Sequence, residues 1–240
     1  MTRGSASLCG ARFKALSLAP PGQFASGSER LTMRLLLFAG FLGSGKTTLI
    51  LALAKRAALD RSRVCVLVNE VGEVGIDGEV LRLGDMEVVE ITGGCICCQI
   101  GVDLVRALRD LEEGFAPDLV IIEASGIATP EGVLDTIRRY PPRTLTSVHT
   151  VTVVDPVRFE ALHEVLTPLI EAQILGADYI VITKADEAAA GEVDGAIRGA
   201  GELAPGVPVF VVDATRSESL AGFLASLGLQ KDAAAAEAGR

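Results

Sequence analysis

Tryptophan is absent from this 240-residue chain, and histidine and tyrosine occur only twice each. Two histidines exclude a histidine-rich metal store; His149 falls in a strand-like run and His163 in a helix-like one, where both read as structural residues. No apolar run approaches the roughly 18 residues that a membrane-spanning helix needs. The longest, residues 35–42, is already broken by Gly40 and runs into Ser44 and Lys46. Basic residues are scarce too, 22 against 31 acidic ones, for a net charge of −9. Without a basic face nucleic acid is excluded as a partner class, whereas an acidic surface suits the gathering of divalent cations. Five cysteines without regular spacing make no disulfide scaffold, and the expected setting is a reducing cytoplasm.

What is present is enough apolar material for a full core, 49 % of the residues, arranged from Met33 onward as apolar runs alternating with amphipathic segments. That is the form of repeated βα units, and it predicts an α/β fold of three layers with a mainly parallel central sheet flanked by helices. The expected strands are residues 35–39, 64–68, 88–91, 118–123, 148–155, 179–183 and 207–212, with helices over 47–58 and 102–111 and a loop over 199–208. Residues 1–32 carry Arg3, Arg12, Lys14 and Arg30 against the single acid Glu29 and read as a disordered extension, a targeting leader being the alternative. Residues 33–228 form the expected domain, and 229–240 an alanine-rich tail. Cys9 falls in the extension and Cys65 in a strand; neither is assigned a role.

The run Gly40-Phe41-Leu42-Gly43-Ser44-Gly45-Lys46-Thr47 follows the first strand and opens the first helix. Glycines let backbone N–H groups approach phosphate oxygens where a Cβ would collide, and the helix adds the positive end of its dipole. Gly40, Gly43, Ser44, Gly45 and Thr48 are therefore placed around the phosphates. Lys46 would reach the β- and γ-phosphates and Thr47 would ligate Mg²⁺. After the strand over 179–183 comes Thr183-Lys184-Ala185-Asp186. A carboxylate there accepts the two donors of guanine, which adenine lacks, so Asp186 selects GTP, with Lys184 along the base and the loop Asp213-Ala214-Thr215 closing the pocket; a plain helix cap is the alternative for Asp186. Glu123, at a strand end before Gly126, sits where a carboxylate senses Mg²⁺ and γ-phosphate, with a strand-end cap as its alternative. Gly126 would turn its N–H to that phosphate, and Glu70 or Asp77 would orient the attacking water.

Cys95, Cys97 and Cys98 stand together in Gly93-Gly94-Cys95-Ile96-Cys97-Cys98. Thiolates favour Zn²⁺ and, less strongly, Co²⁺ or Cu⁺. Adjacent side chains diverge, so two sulfurs with an outside ligand are expected, from Glu70, Glu73, water or a second subunit. A redox thiol pair and packed cysteines are the other readings of the run.

The segments GFLGSGKTT, NEVGEVGIDG, GGCICC, EASGIATP and TKAD resemble, in order and spacing, the CobW-like metal-chaperone GTPases, relatives of the UreG and HypB nickel-insertion GTPases. The resemblance covers residues 33–212. It implies a P-loop GTPase fold in which GTP drives delivery of zinc, cobalt or a metal cofactor to a client metalloprotein. It also implies Gly43, Gly45, Lys46 and Thr47 for phosphate and Mg²⁺, Asp186 for guanine, and Cys95, Cys97 and Cys98 with Glu73 for the metal. Members usually carry a C-terminal domain that is not expected here. Val68 stands where some relatives have a carboxylate, Ala128-Thr129-Pro130 where Ala-Asp-Pro is common, and Thr183 where the base-binding Asn is common. The expected mechanism is a nucleotide-driven switch, with a nucleotide-dependent homodimer across the cysteine loop. Its rivals are a GTPase serving a corrinoid protein, where cobalamin replaces the bare ion, and a metal-sensing GTP-binding regulator.

Overall fold

The computed structural model describes residues 32–60, 62–68, 86–90 and 100–229. The first βα unit shows how the remainder is built. β1 (Met33–Ala39) is buried at every position but Arg34, as a central parallel strand covered on both faces must be, and this is why residues 35–39 read as a continuous apolar run. After the glycine-containing loop comes α1 (Lys46–Leu59), which buries Leu49, Ile50, Leu53, Ala54 and Ala57 against the sheet. Each large aliphatic side chain so buried contributes about 1.5–3 kcal/mol.

The chain continues through β2 (Val64–Val68), β3 (Met86–Glu90), α2 (Ile100–Gly114), β4 (Leu119–Glu123), α3 (Pro130–Arg139), β5 (Leu145–Val154), α4 (Pro156–Val165), α5 (Thr167–Leu175), β6 (Tyr179–Ile182), α6 (Ala190–Leu203), β7 (Val209–Val211) and α7 (Ser217–Ser226). Proline in the first turn of α3, α4 and α5 fixes where each begins, because its missing N–H is an unpaired one there anyway. The strands form one sheet in the order β3-β2-β4-β1-β5-β6-β7, and every pairing is parallel.

Period-two alternation sends side chains to opposite layers. Leu36 and Phe38 of β1 join Val66, Ile121, Val153 and Val181 beneath α1 and Leu220, Phe223 and Leu224 of α7. Leu35 and Leu37 point the other way, to Leu104, Leu108 and Leu111 of α2 and Ile137 of α3. On that second face β6 supplies Ile180 and Ile182 to a cluster with Phe159, Ile170, Ile174, Ala196 and Ala200. The result is the expected three-layer α/β arrangement.

Two differences from the sequence expectation have physical causes. β1 begins at Met33, which is fully buried and whose amide bonds to the Thr144 carbonyl at 2.8 Å. Residues 199–203, expected in a loop, are the last turn of α6. A Cβ on Gly199 would lie 2.6 Å from Cε1 of Phe159, so this glycine permits close approach of α6 to α4 and does not mark a turn.

Because all strands run the same way, the connections after β1, β4, β5, β6 and β7 reach one edge of the sheet. β1 is the switch point, its neighbours β4 and β5 being reached by connections of opposite sense, and ligands of open α/β sheets bind at such a point.

Candidate functional site

The loop from β1 to α1 has the backbone that its sequence demands. Gly40 has φ +136°, and a Cβ there would lie 2.3 Å from the Val153 carbonyl oxygen; Gly45, at φ +86°, is the N-cap of α1. No side chain caps this helix start and no acidic residue occupies its first turn, so the N-terminal amides and dipole of α1 suit an anion. Lys46 is buried, its Nζ donating to the carbonyls of Gly40 at 2.9 Å and Phe41 at 3.0 Å, which curls the ammonium back under the loop. Ser44 is buried and Thr48 exposed.

Thr47 Oγ1 donates to Glu123 Oε1 at 2.8 Å, joining the start of α1 to the end of β4. A hydroxyl beside a carboxylate is the hard-oxygen donor set that Mg²⁺ prefers, so the residues present fit that ion. Gly126, three residues on, lies against Leu42: a Cβ would come within 2.6 Å of the Leu42 nitrogen. Only glycine allows the loop after β4 to sit on the loop after β1.

At the other flank Thr183, 4 % exposed, donates from Oγ1 to the Ser44 carbonyl at 2.6 Å. Lys184, with φ +52°, donates from Nζ to the Gly43 carbonyl at 2.7 Å and to Asp155 Oδ2 at 3.1 Å. Asp186 is exposed in the same loop. The loop after β7 is closed on itself, Asp213 Oδ1 accepting from the Thr215 amide at 2.8 Å and hydroxyl at 2.6 Å. Those bonds, the hydroxyl's foremost, together with the Arg216 charge hold the Asp213 carboxyl below its ordinary value.

The structure thus brings Gly40, Gly43, Ser44, Gly45, Lys46, Thr47, Thr48, Glu123, Gly126, Thr183, Lys184 and Asp186 to one edge of the sheet. Glu70, Glu73, Asp77, Cys95, Cys97 and Cys98 lie outside the described residues. Among the described residues no group of three or more His, Cys, Asp or Glu side chains is placed to hold a metal ion. Cys65 is buried in the core beside Leu67 and Val120. His149 meets the ring of Tyr179 edge-on, and His163 stacks on Phe159 with Nε2 3.5 Å from Glu171 Oε1; both are packed as structural residues.

Three residues of the site were not anticipated. Asp155, its side chain 4 % exposed, caps α4 through the Val157 amide and holds both Lys184 and Arg158, the latter through Nε at 3.2 Å. Arg158 in turn donates to the Leu42 carbonyl and lies 5.8 Å from the Phe41 ring centre. Gln173 of α5 donates from Nε2 to the carbonyls of Gly126 and Ala128. The Asp155-Pro156 pair after a strand is a helix-start signal by which Asp155 could have been found; Arg158 and Gln173 have no local signal.

The model of the CobW/HypB/UreG nucleotide-binding domain matches residues 34–211. A zinc chaperone CobW of Sinorhizobium is 34 % identical over 176 residues, 61 % of this chain and 49 % of its own length. The zinc chaperone YeiR of Escherichia coli is 37 % identical over 152 residues, 62 % of this chain and 46 % of its own. The chain spans about half the length of the curated relatives it matches. Among solved structures, the Zn(II)-bound YjiA GTPase from E. coli superposes with a TM-score of 0.56 at 25 % identity, over 75 % of this chain and 57 % of that one. HypB from Helicobacter pylori in complex with nickel gives 0.57 at 22 % identity, over 84 % and 91 %. No helix among the described residues is long and apolar enough to cross a membrane. With its sheet order, its loop over Gly40 to Thr47 and the match across residues 34–211, the chain belongs to the CobW/HypB/UreG family of GTPases through its nucleotide-binding domain.

Proposed function

We propose that this chain binds GTP with Mg²⁺, hydrolyses the β–γ phosphoanhydride, and couples the nucleotide state to binding and delivery of a transition metal to a client metalloprotein. The relatives named as zinc chaperones favour zinc over cobalt as the cargo.

In this reading the amides of Gly43 to Thr48 and the Lys46 ammonium hold the phosphates, and Lys46 exchanges the carbonyls of Gly40 and Phe41 for phosphate oxygens. Asp186 accepts from guanine while Lys184, fixed by Asp155, lies along the base. Thr47 with Glu123 would hold Mg²⁺, which would supply neutralisation of phosphate charge. Water attacks the γ-phosphorus, its proton passing towards Glu70 or Asp77, and the bond to the bridging oxygen breaks to release GDP. With no glutamine or arginine finger assigned to the γ-phosphate, turnover without a partner is slow, on the order of 10⁻⁴ to 10⁻² s⁻¹. Cys95, Cys97 and Cys98 with Glu73 take the metal, and a nucleotide-dependent dimer is one way to complete the ligand set.

The observation that carries the coupling is a register. Glu90, Val68 and Glu123 are paired across the adjacent strands β3, β2 and β4. β2 ends at Val68, ahead of Glu70, Glu73 and Asp77 in sequence, and β3 ends at Glu90, ahead of the cysteines, and both ends are level with Glu123, whose carboxylate is bonded to Thr47. Single-turnover GTP hydrolysis with and without stoichiometric Zn²⁺ tests the reading. Zn²⁺ is expected to change the rate in the wild type and not in Cys97→Ser; identical rates in all four reactions would remove the coupling.

A further inference from the structure

Gln173 is 1 % exposed in a helix whose remaining inward side chains, Ile170 and Ile174, are apolar. Leucine or methionine would fill such a position at no polar cost, whereas a buried amide is tolerated only when its hydrogen bonds are made. They are made to one place. Nε2 donates to the Ala128 carbonyl at 3.0 Å and to the Gly126 carbonyl at 3.3 Å, 45 and 47 residues away in sequence. The same residue is anchored from behind, its backbone carbonyl accepting from Thr152 Oγ1 at 2.6 Å. Thr152 is paired in β5 with Ala39, the last residue of β1 before the phosphate-type loop.

We propose that Gln173 is a positioning residue for hydrolysis: by gripping the carbonyls of Gly126 and Ala128 it fixes the peptide groups that follow these two residues and so anchors the turn that carries the Gly126 N–H. Within the loop the Ala128 amide bonds to the Ser125 carbonyl at 2.9 Å and closes one turn, while Ile127 at its tip is exposed. Within the turn the Gly126 N–H shares a peptide plane with the Ser125 carbonyl, so the turn's own bond to that carbonyl fixes the N–H relative to Ala128 and not relative to the sheet. Contact of Gly126 with Leu42 sets how close the turn comes to the neighbouring loop; it does not set the rotation of the peptide groups. Gln173 ties the turn to α5, and the Thr152 bond to its own carbonyl refers the turn to β5, the strand beside β1. GDP has no γ-phosphate, so its binding does not use this orientation.

The inference rests on the reading of residues 123–130 as the loop that senses γ-phosphate, and the two are separable. In the unmodified full chain, amide hydrogen exchange over residues 124–129 is compared with GDP and with a non-hydrolysable GTP analogue. Equal protection would end the reading of the loop whatever Gln173 does. Gln173→Met, which keeps the volume and removes both donors, is expected to lower the GTP turnover number about 10-fold, as loss of two neutral hydrogen bonds implies. Its GDP affinity stays within about twofold of the wild type. Gln173→Glu supplies a second readout. As a carboxylate it repels the two carbonyls, and as the neutral acid it donates one bond. Relative to wild type, its turnover therefore rises as pH falls from about 8 towards 6, a range that burial makes accessible to a glutamate. Unchanged turnover in Gln173→Met, or GTP and GDP affinities falling together in both variants, would overturn the assignment.

Discussion

Asp155 carries more of the site than its sequence context suggests. One nearly buried carboxylate accepts from Lys184 and Arg158, and these two cations hold the carbonyls of Gly43 and Leu42 from outside the loop. Both cations are partly exposed, which lowers the cost of removing their partner relative to a fully buried pair. Asp155→Asn keeps the shape and loses the charge, so GTP and GDP affinities are expected to fall together by about 10-fold, roughly 1.4 kcal/mol. Asp186→Asn is expected to act differently, exchanging a preference for GTP over XTP for the reverse by about 100-fold or more, since guanine loses its paired acceptor. Titration of both variants with fluorescent GDP, GTP and XTP separates the roles. A base-selective effect of Asp155→Asn, or an unselective one of Asp186→Asn, would reverse the assignments.

At the scale of elements, α2 is fastened to the turn before β5 by a single carboxylate. Glu112 Oε1 accepts from the Thr144 amide at 2.6 Å and from its hydroxyl at 2.8 Å. Burial alone would raise the Glu112 pKa, but these bonds, with the Arg143 charge, outweigh it and hold the group below its ordinary 4.5. A depressed folded pKa means stability that is present above the unfolded value and lost as pH falls through the folded one. Glu112→Gln is therefore expected to be less stable than wild type at pH 7, by about 1–2 kcal/mol for two hydrogen bonds to a charged acceptor, part-screened by solvent. The difference should shrink below pH 4.5 and vanish in stronger acid, as urea melts across that range would report; a constant difference would assign the effect to packing.

The same scale shows what the sequence could and could not reveal. Buried parallel strands are uninterrupted apolar runs, so β2, β4 and β6 were legible, and the loop over Gly40 to Thr47 was legible because its chemistry is local. Gly199 misled because a glycine that admits the Phe159 ring and one that ends a helix look alike in one dimension. Gln173 and Arg158 were invisible for the related reason that their partners are 45 and 116 residues away. Sequence patterns report periodicity and turns; contacts between separate connections at a sheet edge have no period.

For the whole molecule the proposed coupling depends on how close the ends of β3 and β4 lie. Adjacent strands are about 4.8 Å apart, so the ends of β3 and β4, separated by β2, stand roughly 10 Å from each other. Glu123 at the end of β4 is bonded to Thr47, and Glu90, the last residue of β3, precedes the cysteine run in sequence. If GTP and zinc bind as proposed, a shift of the sheet edge on that scale would be felt by both, and thermodynamic linkage requires the effect to be mutual. If a non-hydrolysable GTP analogue changes the Zn²⁺ dissociation constant by some factor relative to GDP, Zn²⁺ must change the preference for the analogue over GDP by that same factor. For a two-state element the factor is expected at about 5–150. Competition with a zinc chelator under each nucleotide gives one side of the cycle, and nucleotide titration with and without Zn²⁺ gives the other. Two factors near one would mean that metal and nucleotide occupy the same domain without communicating. A large factor that persists in Cys97→Ser would mean that the metal acts through other ligands.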